Sequence, residues 1–347
     1  MRDRLPEPTC PLQGLPFFED GKPGYALRAV TIYAADLADI RDAARRIEGR
    51  VHRTPILTCS ALDARSGKSL FFKCENFQKV GAFKMRGALN AVLSLGEAQA
   101  RCGVVTHSSG NFAQAVALSA RVRGVPAHIV MPENAPEVKR RAVQGYGARV
   151  ISCPATLADR QKTADAVRAE TGATFLHPYD QAEVIAGQGT VALELMEQVS
   201  ELDAVLVPVG GGGLVGGIAL ALRELAPQVP VFAVEPAGAD DAARSRAAGK
   251  LIPQTGPDTI ADGLLTSLGE LNWPIVRDIV ADVLVVDDEA IADAMRMVWE
   301  RMKIIIEPSA ATAVAAAWSP EFQALQGLER VAVVISGGNV DLGKLPW

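Results

Sequence analysis

The stretch AVLVPVGGGGLVGGIALALREL at residues 204–225 decides the fold class of this 347-residue chain. It opens with a short apolar run, which is typical of a parallel strand that is covered on both faces. Four glycines follow, and an apolar segment with helical spacing comes directly after them. A strand that enters a helix through glycines presents bare backbone N–H groups at the positive end of the helix dipole. The stretch therefore predicts a phosphate cradle formed by Gly210, Gly211, Gly212 and Gly213.

This glycine loop differs from two common nucleotide-binding loops. It lacks the G-x-G-x-x-G spacing with a later ribose-binding acid, and no Gly-Lys-Ser/Thr sequence follows it, as a Walker loop requires. A small monophosphate ligand or cofactor therefore fits the loop best. The alternative is a tight, flexible turn that binds nothing.

Strand-like and helix-like segments alternate through much of the chain. GVVTH at 103–107, PAHIVMP at 126–132 and ARVISCP at 148–154 are each followed by a helical pattern. Such alternation predicts an α/β protein with mostly parallel, open twisted sheets.

The same alternation suggests two domains with a cleft between them. We expect the three consecutive strand–helix units to form a small mobile domain at 103–180. The large domain would then comprise residues 36–102 and 181–347. Residues 1–35 are rich in proline and glycine and lack periodicity, so they are predicted to be an N-terminal extension.

Composition excludes several classes of protein. The formal net charge is −5, which provides no electrostatic footprint for nucleic acid. No apolar run reaches the roughly 18 residues that a membrane span needs, and the first residues lack the apolar core of a signal peptide. The five cysteines are widely spaced and form no CxxC pair, which favours a reducing, cytoplasmic location.

The segment GAFKMRG at 81–87 contains a candidate reactive lysine. Lys84 follows an aromatic residue and opens a predicted helix. The helix dipole and the neighbouring Arg86 would lower its pKa, which favours the neutral amine that forms imines. The alternative is an ordinary solvated lysine.

Two further segments lie at predicted strand ends. HSSGNFAQ at 107–114 offers hydroxyl, amide and backbone N–H groups that could bind a carboxylate, or it could simply cap a helix. In SGGN at 336–339, Ser336 could hydrogen-bond a ring nitrogen, or it could start a turn.

These motifs occur together in one known family. FFKCENFQKVGAFKMRGALNAV, HSSGNFAQA, PVGGGGLVGG, VWERMKIIIEPSAA and VISGGNVDL, in this order between Ile40 and Leu342, resemble fold-type II pyridoxal-phosphate enzymes. That fold is the one of the tryptophan synthase β type. Within the group, the chain is most similar to serine racemase and the serine/threonine dehydratases.

The resemblance implies a role for each matched cofactor residue. Lys84 would bind pyridoxal 5′-phosphate covalently, and Phe83 would lie beside its ring. Asn111 would hydrogen-bond the 3′ oxygen, and Ser336 would partner the pyridine nitrogen. The phosphate would be held by Gly210 to Leu214. A neutral serine does not stabilise a protonated ring, so the cofactor is a weaker electron sink, which suits prompt β-elimination.

The activity implied is the dehydration and deamination of a 3-hydroxy amino acid, such as serine, threonine, hydroxyaspartate or phenylserine, to a 2-oxo acid and ammonia. Lys84 would remove the Cα proton. Ser109 matches the hydroxyl that handles the proton on the opposite face in racemases, so an amino-acid racemase is the alternative. A non-catalytic binding protein is a remote third possibility. The resemblance also implies a homodimer.

A cation site is implied by the segment VEPAGADD at 234–241, which resembles the divalent-cation loop of the family. Glu235 and Asp241 would supply carboxylates and Ala239 a backbone carbonyl, and such oxygen ligands favour Mg²⁺, Mn²⁺ or Ca²⁺. The ion would order the loop. The alternative is a solvated acidic turn.

Two features indicate different substrates. The family usually has histidine at the position of Phe112, and this change, with Leu264 and Leu265, makes the substrate wall more apolar and favours a bulky substituent. Arg160 matches an arginine that faces the distal part of the substrate, where a guanidinium favours a second carboxylate. The substrate's own carboxylate would be bound by Ser108, Ser109 and Gly110. The sequence leaves this conflict open.

Overall fold

The computed structural model describes residues 32–135 and 137–347. Most of the predicted extension, residues 1–31, therefore lies outside the described part of the chain. The last residues of that predicted extension are already packed: Tyr33, Ala34 and Ala35 contact the apolar core beneath the larger sheet.

The described residues form an alternating series of strands and helices. The strands are β1 Ile56–Leu57, β2 Ser69–Cys74, β3 Val104–His107, β4 Ala127–Pro132, β5 Arg149–Cys153, β6 Thr174–Phe175, β7 Ala204–Pro208, β8 Val231–Pro236, β9 Asp282–Val286 and β10 Arg330–Ile335. The helices are α1 Leu37–Ile47, α2 Ser60–Ser66, α3 Lys84–Ser94, α4 Glu97–Cys102, α5 Asn111–Arg123, α6 Glu137–Gly145, α7 Leu157–Thr171, α8 Ala182–Gln198, α9 Gly213–Leu225, α10 Asp241–Ala248, α11 Trp273–Asp278, α12 Asp288–Met297, α13 Pro308–Ala316 and α14 Pro320–Gln323.

The strands form two separate sheets. The larger has the order β1-β2-β10-β7-β8-β9 and is parallel except for the β1–β2 pair. The smaller has the order β5-β4-β3-β6 and is parallel throughout. The predicted α/β class with mostly parallel sheets is thus confirmed. All four strands of the smaller sheet lie within residues 103–180, but the proposed domain boundaries remain a prediction.

Both faces of the larger sheet are covered, which explains why β7 is apolar at every position. Val205 and Val207 pack into a core that includes Ile218 of α9. Leu206, pointing the other way, packs into a second core with Val314 of α13. Successive side chains of a strand face opposite sides, so an uninterrupted apolar run is needed when helices cover both.

Helix α3 packs against the smaller sheet's helix α5, although its residues fall in the range predicted for the large domain. Ala88 and Val92 of α3 share one apolar core with Val116 of α5 and Ile129 of β4. This packing fixes the direction of α3, whose first residue is Lys84.

A buried ionic network anchors the beginning of α3. Arg86 is 1% exposed, and its guanidinium donates to both carboxylate oxygens of Glu75 at 2.8 Å and to those of Glu194 at 2.7 and 2.9 Å. Lys73 donates to Glu194 as well, at 2.6 Å. Buried charges are tolerated only when they are paired and hydrogen-bonded, so this network ties the first turn of α3 to β2 and α8.

Candidate active site

The amine of Lys84 lies in an aromatic enclosure. Its Nζ donates a hydrogen bond to the carbonyl O of Pro178 at 2.8 Å. The same atom lies 5.0 Å from the ring centroid of Phe83, 5.7 Å from that of Phe112 and 6.0 Å from that of Tyr179. Burial lowers the pKa of Lys84 to about 8. The neutral amine, which is the nucleophilic form, is therefore more accessible near neutral pH than in an ordinary solvated lysine.

The glycine loop follows β7 and leads into α9 at Gly213, as the sequence predicts. A Cβ at Gly211 would lie 2.1 Å from Cγ of Tyr179, and one at Gly212 would lie 2.7 Å from Cβ of Asn272. Gly212 also has φ of +92°, which favours glycine. The backbone of this loop therefore approaches its neighbours too closely for side chains, and its N–H groups line a helix N-terminus suited to phosphate.

Tyr179, Asp180 and Asn272 connect the amine to the glycine loop, and sequence reasoning missed all three. Nδ2 of Asn272 donates to the carbonyl O of Tyr179 and to that of Gly211, both at 3.0 Å. Asp180 accepts backbone hydrogen bonds from the segment before α11. The sequence signal for these residues is weak, because Tyr179 and Asp180 lie in the loop after β6 and Asn272 lies just before α11, where polar residues are common in any protein.

His177 adjoins this loop and is held as a neutral ring. Its Nδ1 accepts the backbone N–H of Asp180 at 2.9 Å, which leaves the proton on Nε2. Burial, with nearby His107 and Lys84, lowers the pKa of His177 to about 4.

Asn111 and Ser336 are the next two predicted cofactor residues. Asn111 opens α5, and its Nδ2 donates to Glu307, a residue that sequence reasoning did not single out. Ser336 follows β10, is buried, and accepts the backbone N–H of Phe83 through its carbonyl O at 3.0 Å. The strand end that carries Ser336 is thus hydrogen-bonded directly to the residue before Lys84.

The predicted carboxylate-binding segment lies between β3 and α5. Ser108, Ser109 and Gly110 are all half-buried, and the backbone N of Gly110 donates to Oγ of Ser108 at 3.3 Å. Gly110 is the N-cap of α5 and makes no side-chain cap. Donors at this helix start therefore remain available to an anion.

Arg160 lies in the first turn of α7, next to Gln161, whose side chain contacts Nε2 of His107 at 3.0 Å. Its Nε donates to the carbonyl O of Ala155 at 3.2 Å. Across residues 32–135 and 137–347, no carboxylate forms an ion pair with this guanidinium. Burial lowers the pKa of His107 at the end of β3, and the positive charge of Arg160 lowers it further.

The two leucines of the predicted substrate wall lie beside the glycine loop. Leu264 is buried, and its Cα would lie 3.0 Å from a Cβ at Gly210. Leu265 is half-buried. Phe112, which is 2% exposed and lies 5.7 Å from Nζ of Lys84, places apolar surface near the amine.

Glu235 and Asp241, the predicted cation ligands, are both fully buried. The carboxylate of Glu235 accepts the backbone N–H groups of Ala242 and Ala243 at 3.0 and 2.9 Å. Oδ2 of Asp241 accepts from the backbone N of Leu268 at 2.7 Å, while its buried Oδ1 has no partner among the described residues. Burial raises the pKa of both carboxyls, that of Glu235 to about 8.

A buried lysine with a lowered pKa, a glycine cradle at a helix N-terminus and an asparagine at the start of α5 fit pyridoxal phosphate, and together with the fold they define an enzyme of the pyridoxal-phosphate class. The chain belongs to the pyridoxal-phosphate dependent enzyme family, which matches residues 47–337.

Similar proteins cover nearly the whole chain. A serine racemase of Oryza sativa is 51% identical over 90% of this chain and 93% of that protein. A β-hydroxyaspartate dehydratase of Paracoccus denitrificans is 48% identical over 91% of this chain and 100% of that protein. The structure of maize serine racemase superposes with a TM-score of 0.89 at 52% identity, covering 90% of this chain and 95% of that one. The predicted family, fold type, cofactor and enzyme class are confirmed, whereas the roles of individual residues remain predictions.

No helix among the described residues is both long and apolar enough to cross a membrane.

Proposed function

We propose that this protein is a dehydratase that eliminates water from a 3-hydroxy amino acid. The resulting imine then takes up water on hydrolysis and gives a 2-oxo acid and ammonia. The observation that carries the proposal is the Lys84 amine, which is enclosed by aromatic rings and has a pKa of about 8. One of these rings, that of Tyr179, also packs against Gly211 of the glycine cradle. When bound, the cofactor supplies a conjugated ring that withdraws electrons from the α-carbon of the substrate.

The remaining chemistry is assigned to residues of the chain. Nζ of Lys84 binds the cofactor and, once displaced, takes the Cα proton as general base. The segment Ser108–Gly110 holds the substrate carboxylate, and Gly210–Leu214 hold the phosphate. Phe83 and Phe112 exclude water around the amine, which preserves its neutral form. Ser336 would partner the ring nitrogen, and because it is uncharged it would favour prompt loss of the β-hydroxyl.

For the substrate, we propose a 3-hydroxy amino acid with a second carboxylate, such as a hydroxyaspartate. Arg160 has no carboxylate partner among the described residues, and the adjacent Gln161 contacts His107 at the end of β3. A guanidinium can bind a carboxylate through two parallel hydrogen bonds. An unpaired guanidinium near a substrate site therefore favours a substrate with a second carboxylate. The similarity to a β-hydroxyaspartate dehydratase supports the same choice.

The second candidate function is amino-acid racemisation. It is favoured by the position of Ser109, a half-buried hydroxyl in the loop that ends β3, and by the similarity to serine racemases. In that reaction Lys84 and Ser109 would exchange the Cα proton on opposite faces.

A substrate panel separates these functions. The purified holoenzyme is incubated with L- and D-serine, L-threonine, hydroxyaspartates and phenylserines, and ammonia, 2-oxo acid and enantiomer ratio are measured in the same samples. Dehydration predicts equal amounts of ammonia and 2-oxo acid, fastest with a hydroxyaspartate. Inversion of chirality without ammonia would favour the racemase, and no product from any compound would favour a binding protein.

We further propose that Glu235 and Asp241, with the backbone carbonyl of Ala239, bind a divalent cation such as Mg²⁺, Mn²⁺ or Ca²⁺. The support is the unpartnered, buried Oδ1 of Asp241 beside a second buried carboxylate. Hard oxygen donors suit these ions. The cation would stabilise the loop between β8 and α10 and take no part in the reaction.

A homodimer and a cytoplasmic location complete the proposal. The dimer rests on the family resemblance, and light scattering of the purified protein would test it. The location is supported by the free thiols of Cys59, Cys74, Cys102 and Cys153, and fractionation of the source cells would test it.

A further inference from the structure

The buried carboxylate of Glu307 lies against Asn111. Its side chain is 5% exposed. Its two oxygens accept hydrogen bonds from Nδ2 of Asn111 at 3.0 and 3.2 Å, and Oε2 also accepts the backbone N–H of Asn339 at 3.1 Å. Removing a charged carboxylate from water is costly in free energy, so a carboxylate this deeply buried is expected to have a specific role.

Helix α13 does not use this carboxylate. Glu307 is the N-cap residue of α13, a position from which acceptor side chains often bind the first turn of the helix. Its side chain makes no such hydrogen bond, although its backbone O does accept from Ala310 and Ala311. The carboxylate is therefore directed away from the helix that it begins and toward Asn111.

The SGGN motif makes space for this arrangement. A Cβ at Gly337 would lie 2.6 Å from Oε1 of Glu307, and one at Gly338 would lie 2.7 Å from the carbonyl O of Ile305. Two adjacent glycines thus let the backbone after β10 close around Glu307.

Hydrogen bonds on both sides determine which way the Asn111 amide faces. Nδ2 of Asn339 donates to Oδ1 of Asn111 at 2.9 Å and to the carbonyl O of Val80 at 2.7 Å. The oxygen of Asn111 is thereby an acceptor, and its nitrogen is the donor to Glu307. An amide nitrogen has two hydrogens, so one N–H is held by the carboxylate and one is left to bind a ligand.

We propose that Glu307 is a positioning residue that, together with Asn339, directs the second N–H of Asn111 at the 3′ oxygen of the cofactor. The inference rests on the proposed role of Asn111. A donor that is fixed before the ligand arrives needs no reorganisation when it binds, which strengthens the contact. Glu307 itself acts only through Asn111.

The test is a double-mutant cycle between Glu307→Gln and Asn111→Ala in the full-length protein. Glutamine keeps one acceptor oxygen, but its NH₂ group replaces the other and faces an N–H donor of Asn111 or Asn339. Two donors cannot hydrogen-bond to each other, so the amide of Asn111 should lose its fixed orientation. Cofactor binding is measured by equilibrium dialysis, and the visible absorption maximum of the bound cofactor is recorded. We expect Glu307→Gln to weaken binding by about tenfold, the size expected for one charged hydrogen bond, and to shift the maximum. In the Asn111→Ala background both effects should disappear.

Controls separate orientation from charge and from folding. Burial and the nearby charge of Asp262 raise the pKa of Glu307. Asp262 makes no hydrogen bond to Asn111 among the described residues, so Asp262→Asn should leave the absorption maximum unchanged. Glu307→Ala, with its unfolding midpoint measured, repeats the cycle if the glutamine variant folds poorly. Equal effects of Glu307→Gln with and without Asn111 would overturn the proposal, as would an Asn111→Ala variant with unaltered affinity and spectrum. Failure of the cofactor assignment itself would show separately, as visible absorbance that survives Lys84→Ala.

Discussion

The Nζ atom of Lys84 donates a hydrogen bond of 2.8 Å to the carbonyl O of Pro178. Lys84 begins α3, whereas Pro178 lies in the loop between β6 and α8. The neighbouring Tyr179 covers Gly211 of the glycine loop. A single loop therefore contacts both the amine and the phosphate cradle. A substitution that moves this loop should alter the position of both.

Gly211→Ala should disrupt cofactor binding through a steric effect. The new Cβ would lie 2.1 Å from the ring of Tyr179 at Cγ, close to the backbone, so the ring cannot swing aside without moving its loop. We expect cofactor affinity, measured by equilibrium dialysis, to fall by more than about tenfold, since misplacing a cradle of N–H groups costs several hydrogen bonds. Gly145→Ala is the matched control, because a Cβ there meets nothing within 4 Å. Similar affinity for both variants would contradict this account of the loop.

Arg86→Ala should lower stability strongly. The substitution leaves the buried carboxylate of Glu75 and the half-buried carboxylate of Glu194 without this partner. Breaking the buried Arg86–Glu75 pair should cost about 3–5 kcal/mol of unfolding free energy. The control is Arg45→Ala, which removes an exposed ion pair with Asp42 and should cost less than about 1 kcal/mol. Denaturant unfolding measures both. A small, equal loss in the two variants would show that the network does not anchor α3.

Arg160→Met should change the substrate preference. With the guanidinium removed, kcat/KM for a hydroxyaspartate should fall by about 100-fold or more, whereas that for serine should change by less than about threefold. Arg168→Met is the control, because Arg168 lies on the same helix and pairs with Asp165 at the surface. A parallel loss for both substrates in Arg160→Met would indicate a structural effect and would leave the apolar wall around Phe112 as the better guide to the substrate.

Removal of divalent cations should destabilise the loop before α10. We expect EDTA to lower the thermal unfolding midpoint and added Mg²⁺, Mn²⁺ or Ca²⁺ to restore it, because a ligand that binds only the folded state stabilises it. Asp241→Asn should abolish this response. Asp240→Asn should retain it, since Asp240 pairs with Arg244 at the surface. An EDTA-insensitive midpoint in the wild-type protein would argue against the cation site.

Local sequence patterns predicted the fold well where packing follows directly from them. The wholly apolar β7 indicated a strand covered on both sides, and the glycines after it indicated a helix start, because both depend on residues adjacent in the chain. The packing of α3 onto α5 was not predictable in this way. It depends on contacts between residues far apart in sequence, such as Ala88 and Ile129.

The residues of the site divide in the same way, into those that local motifs predict and those that depend on contacts between distant parts of the chain. Lys84 and the glycine loop are recognisable from their motifs. Tyr179 and Asn272 were missed because their importance arises from close approach to glycines more than 30 residues away. Glu307 was missed because nothing in the sequence EPSAA shows that its side chain turns away from the helix that it begins.

The central claim is that Lys84 holds pyridoxal phosphate, and the visible absorption spectrum of purified Lys84→Ala tests it most directly. Lys250→Ala, which alters an exposed lysine, is the control. We predict that the wild-type and Lys250→Ala proteins show the visible band of lysine-bound cofactor and that Lys84→Ala lacks it, together with all release of ammonia. A Lys84→Ala protein that kept the band and the activity would contradict the claim.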